Sequence, residues 1–364
     1  MASIQKRPDG RYRVRWRDPE GRERAKHFAR KVDAERWRAT VTADMVRGAY
    51  VDPQAGRVTF RDFAEQWRTA QPARPNTAAR HQSTLERHVY PAIGGLALAA
   101  VRPSQVQAMV SGWSLAAGSV RTVFSTVRAV FSAAVRDRAI GLDPCKGVKL
   151  PAVERKRITP LTVEQVEAIA DAVPAEYRAL VVLAAGTGLR QGEAFGVQLG
   201  DVDWLRRSLA VQRQVQPGPV VGPLKNRAAY RVIPLGDVVL AELAEHLRQW
   251  PAGSPQSFVF RYGDGPCTRN TFNASVWRPA VKRAGLAGVG MHDLRHAYAS
   301  LLIAAGQSVK VVSDRLGHSN AAMTLNVYSH LFPADEDRTR QAVDDAFRRK
   351  IIPGADRTRT AEGS

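Results

Sequence analysis

The sequence predicts a mixed α/β, multi-domain protein. Its 364 residues exceed the usual length of one compact domain, and a hydrophobic fraction of 44% is enough for more than one core. Two-residue periodicity near the amino terminus predicts strands, whereas three-and-four spacing of apolar residues dominates later segments. We therefore expect a small N-terminal domain of β-sheet plus one helix, an all-α second domain, and a mainly α third domain with a small antiparallel sheet.

Changes of pattern along the chain predict the domain boundaries. Residues 150–157 contain a proline, little apolar content and three adjacent cations, which is typical of an interdomain linker. Thr162 and Gln165 then form a capping-box pattern that opens the next helix. The expected segments are an N-terminal domain, a helical domain, a mainly helical domain and a tail, at residues 1–55, 56–153, 154–345 and 346–364; disorder is expected from Pro353 onward.

The charge of the chain selects its partners. Lys and Arg number 54 against 34 Asp and Glu, so the formal net charge is +20 and the partner is expected to be a polyanion. The longest apolar run, at 179–186, is far shorter than the roughly 20 residues of a membrane span. Two distant cysteines, Cys145 and Cys267, favour a reducing, cytoplasmic setting. Nucleic acid is therefore the leading partner.

The first domain is expected to carry a basic strand. Tyr12, Val14 and Trp16 alternate with arginines, and the run from Arg24 to Phe28 predicts a returning strand. Asp33 is expected to cap a following helix. Strand-borne arginines suit both phosphates and base edges of a DNA groove, although a merely solvated strand face is the alternative. The candidate DNA-binding residues here are Arg11, Arg13, Arg15 and Arg17.

The second domain is expected to be helical. Thr59 can cap a first helix, residues 76–90 and 103–113 predict two more, and residues 118–138 carry the clearest apolar stripe. Cations on this helix and in the linker are candidate contacts to the DNA backbone, with ordinary surface charges as the alternative. They are Arg121, Arg128, Arg155, Lys156 and Arg157.

In the third domain, residues 186–193 follow an apolar helix. Gln191 stands where a dinucleotide-binding fingerprint needs its third glycine, so that interpretation is weak. Arg190 begins a new helix, and Glu193 lies one turn later on the same face, where it can hold the guanidinium group in position. A purely structural ion pair is the alternative. Lys225 is predicted at a hairpin tip or tight turn between strands at 208–215 and 230–235.

Residues 292–296 form the most specific local pattern. His292 and Arg295 are three apart and share a helix face, which pairs a titratable group with a permanent phosphate clamp. His292 and His296 also resemble half of a zinc site with Asp293 between them, but no third ligand lies at a familiar spacing. Zinc chemistry is therefore a minor alternative.

The last two candidates lie ten residues apart. Gly317 is expected to end a helix and to present His318 at the start of the next element. Tyr328 has a hydroxyl that could attack phosphorus, although a half-buried packing role is the alternative for a lone tyrosine. Six residues could thus surround one phosphate: Arg190, Lys225, His292, Arg295, His318 and Tyr328.

The order and spacing of these six residues resemble those of the tyrosine recombinases of the phage-integrase family. The likeness of the catalytic segment covers about residues 158–335, the three-part layout extends it, and the Ala/Arg-rich composition suggests an actinobacterial phage or element. The resemblance implies a core-binding role for the helical domain, an arm-type DNA-binding role for residues 1–55, and integration or excision of a mobile element through a 3′-phosphotyrosyl intermediate.

The resemblance and the residue chemistry together imply a mechanism. Tyr328 would attack the phosphate, Arg190 and Arg295 would grip its oxygens, and Lys225 would protonate the leaving oxygen. His292 is a candidate for proton transfer to or from the tyrosine, and His318 for a further hydrogen bond. Neither a metal nor a nucleotide cofactor is expected. The implied partners are double-stranded DNA attachment sites, a homo-tetramer on DNA, and excisionase and a DNA-bending host factor, in a nucleoid-associated setting.

Two further alternatives remain open from the sequence. A non-catalytic DNA-binding regulator on the same fold would explain the charge but not the six reactive residues. A strand-relaxing topoisomerase shares the chemistry but would not need two amino-terminal binding units. If Tyr328 is not the nucleophile, Tyr298 is the next candidate.

Overall fold

The structure, a computed structural model, describes residues 2–48, 50–52, 54–153, 157–218, 220–225, 227–263, 265–332 and 336–351, with the backbone alone at 336–338, 342 and 349–351. The chain divides into two compact units, residues 1–155 and 156–364. The linker cations Arg155 and Lys156, and the tail from residue 352 including the segment expected to be disordered, lie outside the described residues.

The amino-terminal part of the first unit is a three-stranded antiparallel sheet covered by one helix. Its elements are β1 Ser3–Lys6, β2 Tyr12–Arg17, β3 Glu23–Phe28 and α1 Lys31–Val46. Val14 pairs with Ile4 on one side and Lys26 on the other, and it is fully buried with Trp16 against Ala34 and Val41 of α1. The two predicted strands are confirmed; β1 was not predicted because its four residues show no clear alternation.

The expected cap at Asp33 was wrong. Helix α1 begins at Lys31, and Arg30, in an extended conformation, occupies the N-cap position. Asp33 lies in the first turn, where its carboxylate accepts hydrogen bonds from Nε of Arg30 at 2.9 Å and from Nη2 at 3.2 Å. A carboxylate in the first turn stabilises the positive end of the helix dipole even when it does not cap the backbone. Asp33 therefore does mark the start of α1, but from inside the first turn and not from the N-cap position.

The rest of the first unit is helical. Its helices are α2 Phe60–Ala70, α3 Pro75–Thr84, α4 Tyr90–Ile93, α5 Pro103–Ser111 and α6 Ala117–Arg136. The hydroxyl of Thr59 accepts a hydrogen bond from the Asp62 amide at 3.1 Å, which confirms the predicted cap. The predicted helix over 76–90 is divided into α3 and α4 by a wider π-helical turn at Leu85–Val89. The apolar stripe of α6 lies in a core of its own with Phe60 and Leu85.

The second unit is mainly helical with three small antiparallel sheets among its described residues. Its helices are α7 Val163–Ala172, α8 Ala175–Thr187, α9 Gln191–Phe195, α10 Asp237–Gln249, α11 Arg269–Phe272, α12 Arg278–Arg283, α13 His292–Ala304, α14 Val309–Leu316, α15 Ala321–Tyr328 and α16 Glu336–Ile351. Its strands are β4 Val202–Asp203, β5 Ser208–Val211, β6 Arg213–Gln216, β7 Val220–Pro223, β8 Arg231–Pro234, β9 Arg261–Tyr262 and β10 Gly265–Pro266. The predicted capping box of Thr162 and Gln165 opens α7.

The single strand expected over 208–215 was wrong, and of the two alternatives for Lys225, a hairpin tip or a tight turn, the hairpin tip was wrong. β5 pairs with β4 and β8, whereas β6 forms a separate hairpin with β7 whose tip lies between Gln216 and Val220. Lys225 therefore follows β7 on a bend instead of capping the hairpin. The buried residues Leu209, Val211 and Val215 keep the same parity across the break, so alternation alone could not reveal it.

Two cores hold the second unit together. The larger surrounds α8, whose Leu180, Val181 and Leu183 are fully buried. The smaller joins α13, α14 and α15 through residues that include Ile303, Leu316 and Tyr328. Since α13 packs against both α8 and α14, the carboxyl ends of those two helices are held at the amino-terminal part of α13. The candidate site lies there.

Candidate active site

The position of Arg190 is set by its own helix cap. Helix α8 ends at Gly188, which has a left-handed φ of +63°. A side chain there would begin 2.4 Å from a ring carbon of Tyr298, so only glycine fits. The next helix, α9, has Arg190 at its N-cap. Glu193 accepts one hydrogen bond from the Arg190 backbone at 3.0 Å and another from its Nη1 at 2.7 Å. The predicted ion pair is confirmed, and the carboxylate orients both backbone and side chain.

Glu193 also binds a second arginine. Its Oε2 accepts a hydrogen bond from Nη2 of Arg231 at 2.9 Å, and both side chains are almost wholly buried. Burial alone would raise the pKa of Glu193, but the charges and hydrogen bonds of Arg231 and Arg190 outweigh it, so the pKa is lowered and the group stays ionised. Arg231 in turn donates from Nε to the Arg315 carbonyl at 2.7 Å. One carboxylate thus ties α9 to β8 and to the end of α14.

Arg295 is locked in place by two helix ends. It is 2% exposed, and its Nη1 and Nη2 donate to the carbonyls of Gly188 at 2.7 Å and of Leu316 at 2.6 Å. These carbonyls lie at the negative ends of α8 and α14, where a cation is stabilised. Burial, and secondly the charge of Arg190, lowers the pKa of Arg295 to about 9. A guanidinium held this rigidly can present its remaining N–H groups to an anion without reorganisation.

His318 follows directly from the end of α14. Gly317 ends α14, as predicted, with a left-handed φ of +65°, and its carbonyl accepts a hydrogen bond from Nη2 of Arg190 at 3.3 Å. The Nδ1 atom of His318 lies 2.9 Å from the hydroxyl of Thr324, which fixes the ring. Burial, with the charges of Arg295 and Arg190, lowers the pKa of His318 to about 4. The imidazole is therefore neutral at neutral pH in the free protein.

His292 is the first residue of α13, three residues before Arg295 as predicted. Displacement of water by the surrounding protein, and then the charges of His296 and Arg295, lowers its pKa to about 4, although the residue retains an exposed surface. Its ring meets that of His296 edge to face at 4.9 Å. It thus lies at the solvent side of a short row of aromatic rings.

Tyr328 ends helix α15 and is 1% exposed. Its hydroxyl oxygen lies 2.7 Å from Nδ1 of His296. Burial raises the pKa of Tyr328 to about 12, with Arg295 acting in the opposite direction. The phenol is therefore neutral and buried, and it is close enough to Arg295 for that charge to lower its pKa.

Five of the six predicted residues thus converge. The charge of Arg190 lowers the pKa values of His292, Arg295 and His318, and that of Arg295 acts on Tyr328. Lys225 lies on the exposed bend after β7, next to the buried Leu224. Its place in the set stays a prediction.

Sequence reasoning missed Arg231 and His296. His296 was considered only as a metal ligand. Arg231 lies in a strand, and no local sequence pattern shows that this strand packs against the end of α14. The spacing of four residues between His292 and His296, which puts them on one face of a helix, was the only sequence signal that His296 faces the same site. Within the described ranges, no group of three His, Cys, Asp or Glu side chains is arranged to hold a metal ion.

The DNA-binding candidates occupy several environments. Arg11, Arg17, Arg121, Arg128 and Arg157 are exposed. Arg15 pairs with Glu23 at 2.8 Å, and Nε of Arg13 is buried without a partner. Arg121 also donates to the Pro151 carbonyl at 3.2 Å. The guanidinium row expected on β2 is thus partly engaged within the sheet.

Comparisons with known proteins identify the family of this chain. Profiles of the phage integrase family, its central domain and its N-terminal domain match residues 157–335, 60–150 and 2–47. A XerC-like tyrosine recombinase of Caldanaerobacter subterraneus is 26% identical over 91% of this chain and 94% of its own. The chain belongs to the phage integrase family and is a site-specific tyrosine recombinase.

Solved structures share the fold. The Tn1549 transposon integrase in complex with transposon right end DNA matches with a TM-score of 0.68 and 20% identity, over 80% of this chain and all of that one (100%). A lambda integrase tetramer bound to a Holliday junction matches with a TM-score of 0.58 and 20% identity, over 87% of this chain and 96% of that one. Across the part of the chain that the structure describes, none of the helices is long and apolar enough to cross a membrane.

Proposed function

We propose that this recombinase cleaves DNA by attack of the Tyr328 hydroxyl on one backbone phosphate. The P–O bond to the 5′ oxygen breaks, and a 3′-phosphotyrosyl link conserves its energy. The observation that carries the proposal is the convergence of Arg190, His292, Arg295 and His318 beside this one buried phenol. A second strand's 5′-hydroxyl then reverses the attack, and strands are exchanged.

The two arginines would hold the non-bridging phosphate oxygens. A guanidinium has five N–H donors, and Arg295 uses two of its hydrogen bonds on helix-end carbonyls, so others remain for an anion. Charge on those oxygens grows in the transition state, where fixed donors in a site shielded from water are most effective. His292 and His318, neutral in the free protein, would add hydrogen-bond donors, and their pKa values would rise as the phosphate enters.

Lys225 would protonate the leaving 5′ oxygen. An alkoxide leaves poorly, so a proton donor near it contributes about 10²- to 10⁴-fold. Lys225 is exposed on the bend after β7, where a DNA strand would lie across it.

The proposed substrate is a double-stranded DNA attachment site, with integration or excision of a mobile element as the outcome. Residues 1–55 would bind arm-type sites, 56–153 would bind the core site, and 154–345 would catalyse, with 346–364 as a tail. A homo-tetramer is proposed because two duplexes need two cuts each and because the lambda integrase relative binds a Holliday junction as a tetramer. Excisionase and a DNA-bending host factor would assist, on the nucleoid in the cytoplasm.

The test uses suicide DNA substrates in which a nick lets the cleaved fragment diffuse away, so that the covalent complex accumulates. The wild-type protein is expected to form an adduct that survives denaturation. Tyr328→Phe is expected to form none while binding the same DNA, whereas Tyr298→Phe, at the alternative nucleophile, is expected to retain it. An adduct formed by Tyr328→Phe would refute the assignment.

A further inference from the structure

The hydroxyl of Tyr328 is held by a residue outside the predicted six. Nδ1 of His296 lies 2.7 Å from the phenol oxygen, and the two rings are 5.6 Å apart between centroids. Tyr328 comes from α15 and His296 from α13, so the contact joins two helices across the smaller core. The ring of His292 also contacts that of His296, and His292 is exposed.

We propose that His296 is the proton acceptor for the nucleophile: its neutral Nδ1 accepts the hydrogen bond of the phenol and takes the proton as the oxygen bonds to phosphorus. This inference rests on the proposed function of Tyr328 and reassigns a role for which the sequence pointed to His292. This role requires the neutral tautomer with the proton on Nε2, which leaves Nδ1 free to accept.

Burial is the main reason that His296 favours its neutral form. Burial lowers its pKa, Asp293 opposes that shift, and Arg295 adds to it. Tyr328 is the ionisable group that faces it from α15. Five ionisable side chains on the other packed elements have partners elsewhere: Lys310 with Asp314, Arg315 with the Val232 carbonyl, His330 with the Ile158 carbonyl, Arg178 with Glu242, and Tyr177 with the Arg261 carbonyl.

A weakly basic imidazole is sufficient for this step. A free phenol would not give its proton to such a base, but the phenol proton becomes strongly acidic once its oxygen shares electrons with phosphorus. The bond from Tyr328 oxygen to phosphorus forms, the bond from phosphorus to the 5′ oxygen breaks, and the phenol proton passes to Nδ1 of His296. The 5′ oxygen takes a separate proton from its own donor. In ligation, His296 returns its proton to the phenol.

Two conservative variants separate this role from packing. In His296→Asn the amide oxygen can replace Nδ1 as the hydrogen-bond acceptor, and His296→Gln keeps similar bulk, yet neither side chain can take a proton. Both are expected to match the wild type in thermal midpoint and DNA affinity. Single-turnover cleavage at saturating DNA is expected to fall about 10²-fold in each.

A substrate with sulfur in place of the bridging 5′ oxygen makes the test specific. A thiolate leaves without a proton, so a defect in the leaving-group acid disappears with this substrate, as expected for Lys225→Ala. The defect of the His296 variants is expected to persist. Cleavage by both variants at the wild-type rate or faster, or recovery with the sulfur substrate, would overturn the inference. Absence of any Tyr328 adduct in the wild type would instead refute the proposed function.

Discussion

Among the described residues of the candidate site, Glu193 is the one buried carboxylate that contacts the cationic cluster. Two arginines depend on it for their counter-charge. It receives hydrogen bonds from Arg190 and Arg231, and its own pKa is lowered as a result. The site therefore carries excess positive charge without DNA, and its geometry depends on a single negative group.

Glu193→Gln should destabilise the protein strongly. The amide keeps the shape of the carboxylate but leaves Arg190 and Arg231 without their counter-charge, which for a buried pair costs about 3 kcal/mol or more. Chemical denaturation would measure the change in the free energy of unfolding. Glu245→Gln is the matched control, since Glu245 makes a bidentate but exposed pair with Arg248, and its loss should change the free energy of unfolding little. Equal effects of the two would show that the cluster does not need its carboxylate.

His318 should report the arrival of a phosphate. Its pKa of about 4 in the free protein should rise when Tyr328→Phe binds DNA, because the phosphate opposes the charges of Arg295 and Arg190. Proton NMR titration, with His318→Gln to assign the signal, would measure both values. A free-protein midpoint near the ordinary 6.5, or no shift on binding, would contradict this account.

The lowered pKa of His318 in the free protein also makes the stability of the fold depend on pH. Between the ordinary pKa of 6.5 and the folded value of about 4, the unfolded chain binds more protons at His318 than the folded one. The free energy of unfolding should therefore decrease as pH falls through this window.

At the residue scale, the sequence predicted those contacts that are local. Arg190 and Glu193 are three apart, and His292 and Arg295 share one helix turn, so spacing alone brings them together. The contacts of Arg231 with Glu193 and of His296 with Tyr328 span 38 and 32 residues. Such contacts follow from the packing of helices and sheets, which no local pattern encodes.

At the scale of elements, the carboxyl end of α14 connects several residues of the site. The Leu316 carbonyl binds Arg295, the Gly317 carbonyl binds Arg190, and Gly317 itself turns the chain to His318. The helix end and its glycine were predicted from sequence, whereas the break between β5 and β6 was not. Glycine has a local conformational signature, but strand register does not.

Gly317→Ala should therefore damage both stability and cleavage. A new Cβ would lie 3.0 Å from Nη1 of Arg231 and 3.1 Å from the Ala228 carbonyl, in addition to the strain of the left-handed backbone. Gly285→Ala is the control: it has a φ of +71° but meets nothing within 4 Å. The control should lose only the conformational cost of about 1–2 kcal/mol and keep full cleavage. Equal losses in both variants would exclude a role for the close packing at Gly317.

At the scale of the whole molecule, the cores show where the chain can be divided. Val14, Trp16, Ala34, Val41 and Tyr50 form a core of their own at the amino terminus. The sequence predicted such a unit from strand patterning and from charge. It could not predict which arginines stay available for DNA, because Arg15 is paired across the sheet with Glu23.

Deletion of residues 1–55 removes that core entirely. We expect the shortened protein to cleave an isolated core site at a rate similar to that of the full chain, since the candidate active site lies wholly within 156–364. Recombination on a full attachment site should fail, because arm-type contacts would be lost. Gel analysis of both reactions would measure this, and unchanged recombination on the full site would refute the role of residues 1–55.

Mapping the amino acid that becomes linked to DNA is the most direct measurement. After trapping on a suicide substrate, trypsin should release the nucleotide on the peptide from Leu316 to Arg338, with the phosphate on Tyr328. A nucleotide on the peptide from His296 to Lys310, which contains Tyr298, would show that a different phenol attacks and would contradict the account.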